Sequence, residues 1–311
     1  MSRDQSSRPD RETDNTSIEQ MAAADGGFEP PTQVVGVDFS AAAANAGLNT
    51  WVTVARAEGD RARVTSLGPA TEVFNCEPNR EATHTALVEF ITDRDAAAVG
   101  LDFPFAIPEV VMDPTVESWE GFVEGFGERY PDLDAFTSTC VDRTRAVDPD
   151  RTYLKRATDG RVDSRSPYGF VVDTITYHGV RDVLAAFVDN PGIRVLPVQG
   201  LGDRATLVLE TYPAGHLDAV GLPRDKYKGG GDTERTRRRE ILDGLASAGS
   251  LIIPAELQER ALQNTGGDGL DALAAANAVY EATRSGDGLR LSDHDAAAKL
   301  EAWIYTGRDF E

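Results

Sequence analysis

The chain has 311 residues, enough for one large α/β domain or two small ones, and no apolar stretch approaches the length that crosses a bilayer. Its 52 acidic residues outweigh 31 basic ones, giving a net charge of -21, and only four of the basic residues are lysine: Lys155, Lys226, Lys228 and Lys299. Two distant cysteines, Cys76 and Cys140, with no Cys or His at ligand spacing, argue against a disulfide framework or a zinc site.

Abundant Asp, Glu and Ala with little Lys is the composition of a halophilic protein kept in solution by hydrated carboxylates. The expected setting is a cytoplasm rich in salt. At about 1 M salt the Debye length is only ~3 Å, so a strong negative charge does not by itself exclude a nucleic-acid partner.

Residues 1–31 are rich in Ser, Asp, Arg, Gly and Pro, carry no hydrophobic signal core, and are expected to form a disordered tail with one short helix near Ile18 to Ala24. The globular domain is expected over residues 32–311. Its first strand, Gln33 to Asp38, is an apolar run that ends in one carboxylate. Thr50 to Ala55 and Arg63 to Leu67 follow as strands two and three, joined closely enough to make an antiparallel meander. Residues 79–92 predict an amphipathic helix capped by Asn79, with Ala82, Leu87, Phe90 and Ile91 on its buried side. Strand four, Ala97 to Leu101, then repeats the form of strand one and ends at Asp102. A helical crossover makes these two strands parallel.

From about 105 to 191 the pattern turns irregular, and we read a helical insertion after strand four. Arg143, Arg145, Arg151, Lys155 and Arg156 cluster in it, either as a salt-bridged face or as a phosphate-contacting surface. Strand five, Ala205 to Thr211, carries Glu210. A glycine-rich loop with Lys226 and Lys228 precedes a helix from Thr233 to Ala248 that holds Arg235, Arg237, Arg238 and Arg239. A short helix near Ala255 to Gln263 leads to Gly266-Gly267-Asp268, where an alanine-rich helix begins with Asp268 as a candidate cap and Asp271 in its first turn. A last helix is expected at 293–305. The fold class is thus α/β, with a mixed five-stranded sheet flanked by helices, in the order of a ribonuclease-H-like core.

Four acids end buried strands or open the small-residue helix: Asp38, Asp102, Glu210 and Asp271, with Asp268 in reserve. Such a cluster suits divalent cations about 3.5–4 Å apart that activate water and stabilise the leaving oxygen of a phosphodiester. Magnesium, or manganese in its place, fits an oxygen-only donor set. Each acid alone could instead cap a turn or a helix start.

The segments Val35-Gly36-Val37-Asp38, Leu101-Asp102-Phe103-Pro104, Glu210-Thr211-Tyr212-Pro213, Tyr227-Lys228-Gly229 and Asp268 to Ala276, in that order, resemble the family called domain of unknown function 429 (DUF429). Its members are regarded as ribonuclease-H-like nucleases, and the likeness spans roughly residues 32 to 285. It implies an RNase H-like fold with Asp38, Asp102, Glu210 and Asp271 at the acidic positions. The first helix has no acid that can be placed at the usual glutamate position, although Glu81 and Glu89 lie in it.

The leading expectation is therefore a magnesium-dependent nuclease of DNA or RNA. Asp38, Asp102, Glu210, Asp268 and Asp271 would hold metal, while Lys228, Arg235 and Arg238 would contact phosphate. The alternatives are a nucleic-acid-binding or scaffold protein that does not cleave, and an ATP-dependent phosphotransferase of the actin and sugar-kinase type. The last needs a phosphate-cradling glycine near Ser40, where four alanines stand instead.

Overall fold

The computed structural model describes residues 28–202, 204–247, 250–289 and 297–307. Val34, Val35 and Val37 bury branched side chains on both faces of the first strand, as expected of a strand covered by a layer on each side. The strands are β1 Gln33–Asp38, β2 Trp51–Glu58, β3 Arg61–Pro69, β4 Ala97–Leu101, β5 Ile193–Leu196, β6 Thr206–Thr211, β7 Leu251–Ile252 and β8 Ile304–Tyr305. They form one mixed sheet in the order β5-β6-β4-β1-β2-β3-β7, with β8 also pairing β6. The pairs β1–β2 and β2–β3 are antiparallel, and the others are parallel.

The sheet is wider than the five strands expected. β5, β7 and β8 are four, two and two residues long, too short to leave a period in the sequence. Within the expected last helix the described residues are helical at Ala298–Glu301 and form β8 at Ile304–Tyr305, while residues 290–296 lie outside the described residues. The expected short helix at Ile18 to Ala24 also lies outside them.

The longer helices are α1 Arg80–Thr92, α2 Trp119–Glu124, α3 Leu133–Val147, α4 Val171–His178, α5 Pro213–Ala219, α6 Asp232–Ser247, α7 Ala255–Gln263 and α8 Asp268–Thr283. Asn79 caps α1 by accepting from the Ala82 amide at 3.0 Å. The buried stripe of α1 is Thr83, His84, Leu87 and Ile91, with Ala82 and Phe90 only half-buried. Two apolar layers cover the sheet. One joins Val35, Val37, Val99 and Leu101 to the segment between β4 and β5, through Trp119, Phe126, Phe136 and Tyr177. The other joins Val34, Ala98, Leu207 and Leu209 to α6, α7 and α8. Among the described residues, no helix is long and apolar enough to cross a membrane.

Candidate functional site

Register decides which side chains meet. Gly36 of β1 lies so close to α8 that a Cβ there would come within 2.2 Å of the Ala272 carbonyl. Residues 34, 36 and 38 therefore face α8, while Val35, Val37 and Phe39 face the opposite layer. Strand β4 pairs with β1 from Gln33↔Ala97 to Val37↔Leu101, and its Gly100 likewise abuts Val279 and Ala275 of α8. Asp38 and Asp102 thus leave neighbouring strand ends on the α8 face, where the Asp102 amide still donates to the Val37 carbonyl at 3.0 Å.

Helix α8 begins behind Gly267, whose φ of 87° is a left-handed value that glycine adopts without strain. Asp271 stands in its first turn above the same sheet edge. Trp51, opposite Asp38 in β2, sets its ring against Gly269 and walls this side of the site.

The three carboxylates repel one another. Burial first, then the charges of Asp271 and Asp102, pushes Asp38 well above the usual carboxylate range. Burial and the charge of Asp271 do the same to Asp102. Asp271 is also raised by burial, but less freely, because Lys228 and Tyr227 hold its charged form. Lys228 Nζ lies 2.7 Å from Asp271 Oδ2, and the Tyr227 hydroxyl donates to Asp271 Oδ1 at 2.6 Å. Asp268 sits at the margin, half-buried, accepting from Asn264 Nδ2 at 3.3 Å, so it opens the helix as a first-turn acid and does not cap it.

Other expected site residues lie elsewhere. Glu210 pairs with Leu101, one register short of Asp102, and so faces the opposite layer. There it forms a buried bidentate pair with Arg156, at 2.5 Å and 2.8 Å, and accepts from the Phe105 amide at 3.0 Å. Its oxygens shape the turn that leaves Asp102, and their charge adds to the burial and the Asp271 charge that raise the Asp102 carboxyl.

Arg238 is also buried, and its guanidinium donates to the carbonyls of Tyr227, Gly229 and Leu262, which turns the expected phosphate contact into a clamp on the Lys228 loop. Arg235 remains on the surface, 3.2 Å from Glu259. Glu81 and Glu89 are exposed on the outer face of α1, beside an open groove with Cys76. In the arginine-rich stretch the salt-bridged alternative fits four of the five residues: Arg143 pairs with Asp113, Arg151 with Asp148, Lys155 with Asp163, and Arg156 with Asp159 and Glu210.

Several residues around the site escaped the sequence reading. His84 Nε2 lies 3.2 Å from the Ser40 carbonyl, two residues past Asp38, and its ring stacks on Phe39. Its Nδ1 meets Asp182 at 3.3 Å, and His178 reaches the same carboxylate oxygen at 2.9 Å. Burial alone would raise Asp182, but hydrogen bonds with His178, His84 and Arg181 hold it well below the usual carboxylate range. The helical segment after β4 therefore grips the turn that follows β1. Thr211, one residue past the Leu101↔Glu210 pair, stands level with Asp102 on the α8 face, and its buried hydroxyl has no hydrogen-bond partner among the described residues.

Among the described residues, no three side chains of Asp, Glu, His or Cys stand close enough together to hold a metal ion as they are. The donor set at the α8 edge is nevertheless all oxygen and rich in carboxyl groups, which suits a hard divalent cation that keeps several waters and binds through one or two carboxylates plus a phosphate. Comparison with known protein families, curated proteins and solved structures finds no match to this chain.

Proposed function

We propose that the chain is a divalent-metal-dependent nuclease that hydrolyses phosphodiester bonds of DNA or RNA on a ribonuclease-H-like core. The observation that carries this reading is the meeting of Asp38, Asp102 and Asp271 on one sheet face, each with its charge disfavoured by burial and by its neighbours. The central order β3-β2-β1-β4-β6, an antiparallel meander followed by parallel strands, supports the same core. Magnesium or manganese bound there would lower the pKa of a bound water and stabilise the developing charge on the leaving oxygen. Asp38 and Asp102 supply the shared negative charge, and Asp271 completes it from α8. Tyr227 fixes the Asp271 carboxylate by one hydrogen bond. Glu210 and His84 act through the backbone, holding the turns that follow Asp102 and Asp38. Of the expected phosphate contacts, Lys228 and Arg235 keep exposed cationic side chains that can meet a phosphate backbone.

The second reading, a nucleic-acid-binding scaffold that does not cleave, draws on the absence of a closed cage of metal ligands among the described residues. Labelled single-stranded and duplex DNA and RNA, incubated in molar salt with magnesium or manganese, separate the two. The nuclease reading expects cleavage that disappears in Asp102→Asn. Binding without cleavage by the wild type would leave the scaffold.

A further inference from the structure

Lys228 is placed unusually for a phosphate contact. Its ammonium is 2.7 Å from Asp271 Oδ2, yet its side chain is 55% exposed, so it enters the acidic cluster from solvent. The stem passes directly over the start of α8, where a Cβ on Gly267 would meet Lys228 Cγ at 2.9 Å. A side chain at position 267 would block that path. The backbone on either side is held, because Arg238 Nη1 takes the carbonyls of Tyr227 and Gly229 at 2.6 and 2.8 Å. The neighbouring Tyr227 ring is buried and anchored on the other oxygen of Asp271. The side chain of Lys228 can therefore leave the site while its loop stays in place. A divalent ion and an ammonium compete for the same carboxylate oxygens, and both cannot stand at contact distance from Oδ2 without repelling each other.

From this geometry we infer that Lys228 is a tethered counter-cation that occupies the Asp271 side of the cluster and is exchanged for the divalent ion when the ion binds. The exchange rests on the proposed metal-dependent reading and adds a regulatory step to it. The chain carries its own competitor for metal, which keeps three facing carboxylates compatible with folding before metal arrives and raises the metal concentration needed to load the site. Once released, the ammonium stays at the mouth of the site on its fixed loop.

The test is manganese binding to the full chain, followed by electron paramagnetic resonance of free Mn²⁺ in molar potassium chloride, for the wild type, Lys228→Met and Asp271→Asn. Asp271→Asn sets the level of non-specific binding by an acidic surface. Exchange predicts that Lys228→Met binds Mn²⁺ at least about tenfold tighter than the wild type, the scale of one lost charge-assisted contact. It also predicts that the variant melts lower than the wild type without metal and gains more from Mn²⁺. Lys228→Arg, which keeps the charge and can bridge the carboxylate with two donors, is expected to bind Mn²⁺ no better than the wild type; it tests the exchange independently if the methionine variant folds poorly. Equal or weaker binding by Lys228→Met, with both proteins above Asp271→Asn, overturns the exchange and leaves the metal reading standing. Binding by the wild type and Lys228→Met that does not exceed Asp271→Asn overturns both.

Discussion

At Asp102 the carboxylate is held against burial and against the charge of Asp271, so its protonated form is the one the fold favours. A group whose pKa is raised on folding takes up protons relative to the unfolded chain. Its stability contribution is present at low pH and is lost as pH rises through the window above the ordinary aspartate range. Asp102→Asn removes that penalty. At neutral pH without metal it is expected to melt at the same temperature as the wild type or higher, with the advantage shrinking as pH falls toward the ordinary carboxylate range. Under the nuclease reading, cleavage falls by orders of magnitude in the same variant. A melting temperature clearly below that of the wild type at neutral pH would make Asp102 a structural cap. Arg156 is the opposite case. Arg156→Met leaves Asp159 and Glu210 buried without a counter-charge and is expected to cost about 3–5 kcal/mol in urea unfolding.

Local sequence patterns reveal some of these side chains and hide others. Asp38, Asp102 and Asp271 were legible because a strand ending in an acid and a glycine-led helix start are local patterns. Glu210 was misplaced because a buried parallel strand has apolar side chains on both faces, so Thr206 to Thr211 shows no alternation, and a one-residue difference in register moves a side chain to the other face. His84 and Asp182 are 98 positions apart, and no local signal joins them. In Arg235 to Arg239, helical spacing cannot tell which arginine turns inward.

Elements meet most tightly where β1 and β4 cross α8. Gly36 and Gly100 leave no room for a Cβ, and the helix answers with Ala272, Ala275 and Ala276. This seam brings the backbone of α8 down onto the strands and so sets the height of Asp271 above Asp38 and Asp102. Gly36→Ala is therefore expected to cost about 3 kcal/mol in urea unfolding, because helix or strand must move to admit one methyl group. Gly230→Ala, with nothing within 4 Å, serves as the control and should change stability by less than about 0.5 kcal/mol. Equal effects at the two positions would show that the seam is loose. The five longest strands and helices α1, α6, α7 and α8 were legible from period and breakers, whereas α2, α3 and α4 lie in the stretch read only as an irregular helical insertion, and β7 and β8 are too short to leave a period.

For the whole molecule, a net charge of -21 makes self-repulsion a general load on the folded state. Stability is expected to rise with potassium chloride into the molar range as screening shortens the reach of each charge, and a melting temperature independent of salt would contradict that. The burial of α8 sets a second property of the whole chain. Every position from 269 to 280 is buried, so the amides of this helix are reached by solvent only when the sheet and its α8-side layer separate. Native-state hydrogen exchange should show α8 among the last segments to take up deuterium, while the exposed Gly230–Gly231 segment exchanges early. Asp271 would then sit in one of the slowest-opening segments of the protein and Lys228, on a backbone that Arg238 holds, just before an early-exchanging one, with a 2.7 Å contact spanning that boundary.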